Sequence, residues 1–280
     1  MSPVTSADIA RTVREAIPRA ASSLRPDVLA ALRAAAGAEL SPTGRAVLRQ
    51  LVANAEIAVA DGVPLCQDTG TVWVWIEVGS GSGITGDVQA DVDAAVRDAY
   101  QEYGLRMSTV RDALLDRTNT GDNTPASVTV SFRPGTGATV HVMLKGGGSD
   151  NASALTMLDP SAGFEGVTRF VLEAVSVRGA GACPPLVVGV GVGGTFDSVA
   201  LLAKKALMEP LDAATAPGIA EFQSDLLAAI NGLGIGPAGL GGLTTALGVR
   251  VRTAPSHIAS LPVAVNLGCS AMRSVTVELG

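Results

Sequence analysis

Residues 126–148 read ASVTVSFRPGTGATVHVMLKGGG, and the fold class turns on this stretch. Val128, Val130 and Phe132 alternate with Ser127, Thr129 and Ser131, and Val140, Val142 and Leu144 repeat the spacing after the turn. β-Branched and aromatic residues at period two fit a pleated, half-buried surface, and RPGTG supplies the Pro and Gly of a tight turn. The stretch predicts two antiparallel strands joined as a hairpin. Just upstream, TVWVWIEVG from Thr71 is a further strand of the same type. Elsewhere the period shifts to that of helices. Ser6 is placed to cap a segment with Ile9, Val13 and Ile17 on one face, and DVLAALRAAAG from Asp27 and GRAVLRQLVANAEIAVADG from Gly44 follow. VQADVDAAVRDAYQEYG from Val88 is a helix stopped by Gly104, while FEGVTRFVLEAVSVRGA from Phe164 and TFDSVALLAKKALMEPL from Thr195 are two more. Hairpin strands with segregated helices predict an α+β fold: an antiparallel sheet flanked by helices, one domain over 1–280, and a helical N-terminal segment over 1–60.

Composition narrows the function. Among 280 residues only 16% are charged and 47% are hydrophobic, with a mean hydropathy of +0.36. Such a surface carries fewer charges than a free-standing monomer usually needs, which anticipates a face buried against a partner. The net charge of −6 and the lack of a Lys/Arg run exclude nucleic acid as that partner, because phosphate binding needs clustered cations. The N-terminus, MSPVTSADIARTVREAI, has no apolar signal-type core and carries acidic residues, so a cytoplasmic location is expected. Two uncharged stretches, 179–196 and 226–249, are long enough to suggest membrane spans. Pro184-Pro185 and the many glycines would strand backbone amides in lipid, so both are predicted to be tightly folded loops, with no membrane segment.

The three cysteines stand in distinctive settings: Cys66 in PLCQDTG, Cys183 in ACPPLVVGVGVGG and Cys269 in VAVNLGCSAMR. Their separations, 117 residues (66 to 183) and 86 residues (183 to 269), are unlike the compact CxxC spacing of zinc ribbons and ferredoxins. An odd number in a reducing compartment speaks against a disulfide framework. On residue type alone each is a small buried hydrophobe. The adjoining Gly and Pro set them apart, since such backbone can come close to a bulky inorganic group. Three thiolates on a cubane cluster leave one iron without a cysteine ligand, open to water or a substrate oxygen.

Six segments in order, PLCQDTG at Pro64, NTGDNTPA at Asn119, KGGGSDN at Lys145, ACPPLVVGVGVGG at Ala182, LGIGPAGLGGLTTALGV at Leu233 and PVAVNLGC at Pro262, cover nearly the whole chain. Together the set resembles the α subunit, or N-terminal half, of the class I fumarase and L-tartrate dehydratase family. The resemblance implies a hydro-lyase that reversibly dehydrates a small 2-hydroxy dicarboxylate. It implies a 4Fe-4S cluster on Cys66, Cys183 and Cys269 whose fourth iron acts as a Lewis acid, with Gly-rich loops around it. It also implies Asp68 as a proton-transfer residue, with Gln67, Arg106 and His257 as substrate contacts, the arginine pairing with a carboxylate. In that family a β subunit or C-terminal half completes the site, so a separately encoded β subunit and an α2β2 assembly are implied here.

Each assignment has a plainer counterpart. By residue type Asp68 is an Asx-turn residue within QDTG and Arg106 a surface arginine at a helix end. The KGGGS run reads as a place where backbone approaches a ligand, with Gly146 and Gly147 offering amides; Lys145 either assists electrostatically or is a solvated strand end. NTGDNTPA serves equally well as a structural turn, and His141 packs within its strand or faces solvent. Gly189, Gly191 and Gly194 match G-x-G-x-x-G, which makes a nicotinamide-dependent oxidoreductase the rival enzyme. A lone motif among 33 glycines is weak, and close packing beside the cluster is the preferred reading. A non-enzymatic iron–sulfur module for sensing or assembly is the third alternative.

Overall fold

The computed structural model describes residues 3–280. In chain order the elements are β1 (Val4–Thr5), α1 (Ser6–Ser22), α2 (Pro26–Ala38), α3 (Pro42–Asp61), β2 (Thr71–Gly79), β3 (Ile84–Thr85), α4 (Val88–Glu102), β4 (Ser127–Arg133), β5 (Ala138–Lys145), α5 (Gly147–Asn151), β6 (Ala154–Leu158), α6 (Gly163–Arg178), β7 (Leu186–Gly194), α7 (Phe196–Ala206), α8 (Pro217–Gly232), β8 (Ala246–Ser256), β9 (Leu261–Gly268) and β10 (Arg273–Leu279). Contacts divide the chain into two compact units. The first takes the residues up to Arg25 with Ala55–Gly147 and Arg273–Gly280; the second takes Pro26–Asn54 and Gly148–Met272. Helices flank open sheets in an α+β arrangement, as the sequence predicts. Among the described residues no helix is long and apolar enough to cross a membrane.

The first unit is built on a sheet of order β10-β5-β2-β4. The β10/β5 and β5/β2 ladders are antiparallel and β2/β4 is parallel, which corrects the expected hairpin: β4 and β5 are not partners, because β2 lies between them. The RPGTG turn carries the chain across the end of β2, where the Gly79 amide donates to the Gly137 carbonyl (2.8 Å) and the Ser80 amide to the Arg133 carbonyl (2.9 Å). A Cβ on Gly79 would lie 2.5 Å from Thr136 backbone, so glycine is what lets the crossing sit this close. β2 takes the inner place because both of its faces are covered. On one, Val72, Val74 and Ile76 meet Ile9, Val13 and Ile17 of α1 and Val92, Val96 and Tyr100 of α4. On the other, Trp75 stacks on His141 at 4.4 Å and 16° and donates from Nε1 to Ser131 Oγ at 2.7 Å. His141 is therefore a packing residue, with Thr276 Oγ1 at 2.9 Å and Glu77 Oε2 at 3.2 Å. The cap of α1 is Thr5, whose hydroxyl accepts from the Asp8 amide at 3.1 Å, one residue before the Ser6 that the sequence pointed to.

The second unit repeats the plan with the order β6-β9-β7-β8: antiparallel, antiparallel, then parallel. α7 packs on one face against β7 and β9. α6 and α8 cover the other, where Val171, Val175, Leu226 and Ile230 meet Val188, Val190, Val263 and Val265. The stretches expected to be loops are thus largely regular: 179–196 contains β7, and 226–249 contains the end of α8 and the start of β8. The G-x-G-x-x-G letters also change meaning. Gly189 and Gly191 sit within β7, where a Cβ would fall 2.3 Å from the Ala203 carbonyl oxygen and 2.5 Å from that of Val199. These glycines make room for the backbone of α7, in place of the cluster packing expected of them. Lying mid-strand, they are also not the strand-to-helix turn that cradles a pyrophosphate.

Candidate active site

In the first unit the loop Pro64–Gly70 enters β2 and carries Cys66, Gln67 and Asp68. Its carbonyls are pinned from several directions. The Tyr100 hydroxyl donates to the Thr69 and Gly70 carbonyls at 3.2 and 2.9 Å, and Asn123 Nδ2 donates to the Gly70 carbonyl at 3.2 Å. Arg273 Nη2 donates to the Asp68 carbonyl at 2.8 Å, and the Thr69 hydroxyl donates to the Arg106 carbonyl at 2.6 Å. Burial pushes the Tyr100 phenol up to about 12, although the positive charge of Arg273 pulls the other way. A phenol held this firmly protonated remains a donor at any ordinary pH.

The Asp68 carboxylate is aimed by backbone. Oδ1 accepts from the Gly70 amide at 3.0 Å, which closes the Asx turn, and Oδ2 accepts from the Gly147 amide at 2.9 Å, 79 positions away in sequence. Ser108 Oγ stands 3.5 Å from Oδ1. The Asx turn expected of Asp68 on residue type is present, and it is what fixes the carboxylate. Gly146 is buried, and a Cβ there would come within 3.2 Å of Asp68 Oδ2. Gln67 and Arg106 are exposed, and the Arg106 guanidinium has no partner among the described residues. Lys145 is 3% exposed, which excludes a solvated strand end.

Two residues here escaped the sequence reading. Asn123, with φ of 59° and no exposure, accepts from the Ser108 amide at 2.7 Å while it donates to Gly70. The NTGDNTPA turn is thus a joint between the Asp68 loop and the segment after Arg106. Arg273 is 1% exposed, and its Nε and Nη1 are buried without a hydrogen-bond partner among the described residues. A buried, incompletely paired charge is costly, so a fold retains one only where something compensates. The available signal was an arginine opening an otherwise alternating strand, RSVTVEL, four positions after Cys269.

The second unit presents the other two thiols. Cys183 follows a short turn over Gly179–Ala182, adopts a left-handed conformation (φ 57°, ψ 64°) and is exposed; Cys269 follows β9 and is half-buried. The Ser270 amide donates to the Cys183 carbonyl at 3.0 Å, so the two cysteine segments are joined directly. His257 lies on an exposed turn between β8 and β9, with Nδ1 accepting from the Ala259 amide at 3.1 Å. None of the three cysteines is in a disulfide. Among the described residues no three or more His, Cys, Asp and Glu side chains are grouped to hold a metal ion. Cys66 lies in the first unit, and Cys183 and Cys269 lie in the second.

Comparison with known proteins gives a consistent picture. Residues 10–278 match the family model described as fumarate hydratase (Fumerase). The chain is 39% identical over 272 residues to a provisionally named L(+)-tartrate dehydratase subunit alpha of Methanocaldococcus jannaschii, with 95% of each chain covered. It is 35% identical over 258 residues to the L(+)-tartrate dehydratase subunit alpha of Escherichia coli strain UTI89, covering 90% of this chain and 84% of the other.

Proposed function

The chain belongs to the fumarate hydratase (Fumerase) family, a family of hydro-lyases, and from that premise we propose that it is the α subunit of an iron–sulfur enzyme that reversibly dehydrates a small 2-hydroxy dicarboxylate. The observation that carries this reading is the Asp68 carboxylate, fixed by two backbone amides two residues after Cys66.

The donor chemistry of the chain fits the cofactor. Three cysteines outside any disulfide are present, two of them on segments joined by the Ser270–Cys183 hydrogen bond, and Cys66, Cys183 and Cys269 would hold a 4Fe-4S cluster. When bound, such a cluster supplies a Lewis-acidic iron that polarises a hydroxyl as a leaving group. The protein residues do the rest. Asp68 takes the proton from the carbon next to a substrate carboxylate and returns it in the hydration direction. That proton is weakly acidic, so orientation matters more than base strength, and the Gly70 and Gly147 amides provide it. Arg106 grips a substrate carboxylate, for which its exposed, unpaired guanidinium is suited. Gln67, Gly146, Gly147 and His257 complete the substrate contacts.

We assign the remainder of the site to a separately encoded β subunit, in an α2β2 particle in the cytoplasm. The relatives' names as alpha subunits support this, as do apolar side chains left in water, among them Leu114 at 88%, Leu115 at 94% and Phe132 at 75% exposure. The test is anaerobic assay of the chain with a coexpressed β subunit against fumarate, malate and tartrate. Turnover by the pair, near-absence of turnover by the chain alone, and a brown colour that bleaches in air and disappears in Cys183→Ser are expected. A coloured but inactive pair would point to sensing, saturable binding of NAD would point to the oxidoreductase, and full activity of the chain alone would overturn the two-chain reading.

A further inference from the structure

One buried carboxylate of the second unit has no part in the scheme above. Glu39, at the corner between α2 and α3, is 1% exposed. Its Oε1 accepts from the amides of Leu40 and Ser41, both at 3.0 Å, and its Oε2 accepts from the Leu243 amide at 2.9 Å, 204 positions further along the chain. The Glu39 carbonyl receives Arg45 Nε at 3.0 Å and Nη2 at 2.7 Å. Three amides and a guanidinium on the same residue are what make a buried carboxylate tolerable. The approach is tight: Gly242 has φ of 136°, and a Cβ there would fall 2.8 Å from Glu39 Oε2. Only glycine allows that conformation and that distance.

What Glu39 holds is the glycine-rich loop before β8. The Gly241 amide donates to the Ile235 carbonyl at 2.8 Å, and the Gly236 amide to Thr245 Oγ1 at 3.2 Å. From the same loop the Ala238 amide donates at 2.8 Å to the carbonyl of Pro184, the residue after Cys183, while the Ser270 amide donates to Cys183 itself. Hydrogen bonds and the loop backbone between them thus connect Glu39 to both cysteine segments of this unit.

We propose that Glu39 is a positioning residue for the Cys183 and Cys269 thiols, its carboxylate clamping the 236–243 loop that in turn holds the Pro184 segment in place for the cofactor. The inference rests on the reading of those cysteines as cluster ligands. Glu39→Gln is the informative variant, because an amide presents an NH2 group to backbone donors on one of its two edges and so breaks half of the clamp. Gly242→Ala attacks the same contact from the other side.

The experiment compares the wild-type pair with both variants after anaerobic loading with iron and sulfide. Amide hydrogen exchange is followed on the unloaded chain, and the half-life of the visible colour is followed under chelator. Exchange at Leu243, Ala238 and Ser270 is expected to rise about tenfold or more in each variant, the scale of losing one charge-assisted hydrogen bond in a local opening. The colour half-life should fall by a similar factor, with KM unchanged and exchange at Val74 and Val142 in the first unit unaltered. Unchanged exchange at Ala238 and Ser270 overturns the proposal, and so does a colour half-life that stays within about twofold of wild type while the Leu243 amide opens. A wild-type pair that takes up no cluster sinks the ligand reading instead, and with it the purpose given to the clamp; the two failures are distinguished by which protein fails.

Discussion

The two units share one sheet plan and fill it with opposite residues. In each, two antiparallel ladders are followed by a parallel one at the edge. The third strand of the first sheet is TVWVWIEVG, with Trp73 and Trp75 only 4% exposed. The third strand of the second is LVVGVGVGG, which is stripped of side chains where α7 approaches. The bulk on β2 packs on His141 and reaches Ser131, while the lack of bulk on β7 lets the backbone of α7 come close at Gly189 and Gly191. The same topology thus carries a backbone-aimed carboxylate just before one third strand and a cysteine just before the other, and what covers each strand is set by side-chain volume, not by strand order.

The sharpest way to break this comparison is to remove each unit's chemistry separately. Asp68→Asn in the loaded pair should cut turnover by about 10²–10⁴-fold, the range for losing a positioned proton-transfer group, while the visible colour persists. Cys183→Ser should remove the colour. If Asp68→Asn bleaches the protein, the carboxylate is supporting the cofactor and the division fails. Next in size is the packing contrast. Trp75→Ala opens a cavity beside His141 and should cost about 3–5 kcal/mol, whereas Gly191→Ala overpacks the β7–α7 contact and should cost about 1–3 kcal/mol. Denaturant midpoints read both, and equal costs would mean that bulk on β2 matters no more than its absence on β7.

Much of this was legible in the chain, and what was not has physical causes. Ile9, Val13 and Ile17 announced the buried face of α1 because helical period is a local property, and all three are fully buried. The 126–148 strands were found but mispaired. A turn-like RPGTG is compatible with direct pairing and with crossing over a third strand, and the choice was made by β2, a strand that needs cover on both faces. Gly189 and Gly191 look the same in sequence whether a pyrophosphate or a helix comes close to them. Cys66 stood out because its setting, PLCQDTG, is unusual, and Asp68 was singled out through the resemblance to a family; Asn123 and Arg273 were not, since the atoms they hold lie 53 and 205 positions away. Glu39 was silent for the same reason: a carboxylate on a helix corner reads as a solvated charge until Leu243 is placed on it.

The smallest expected effect concerns how the first unit keeps the Asp68 loop still. Tyr100→Phe removes a hydroxyl that serves two carbonyls, but Asn123 Nδ2 still donates to Gly70, so only the Thr69 carbonyl is left without a donor and the cost should be about 1–2 kcal/mol. The pH dependence gives a cleaner signature than the size. The folded phenol titrates near 12 instead of 10.0, because burial disfavours the phenolate. Below pH 10 folded and unfolded chains both keep the proton, and the contribution is fully present; above it the unfolded chain releases the proton first, so stability is lost as pH rises through about 12. Urea unfolding of the wild type should therefore weaken more steeply over that window than unfolding of Tyr100→Phe. Parallel slopes would show that the phenol is not what ties the loop to α4. The loosening should also stay local: amide exchange at Gly70 should quicken in the variant while exchange at Val188 on β7 does not, because the hydrogen bonds of Tyr100 go to Thr69 and Gly70 of the Asp68 loop.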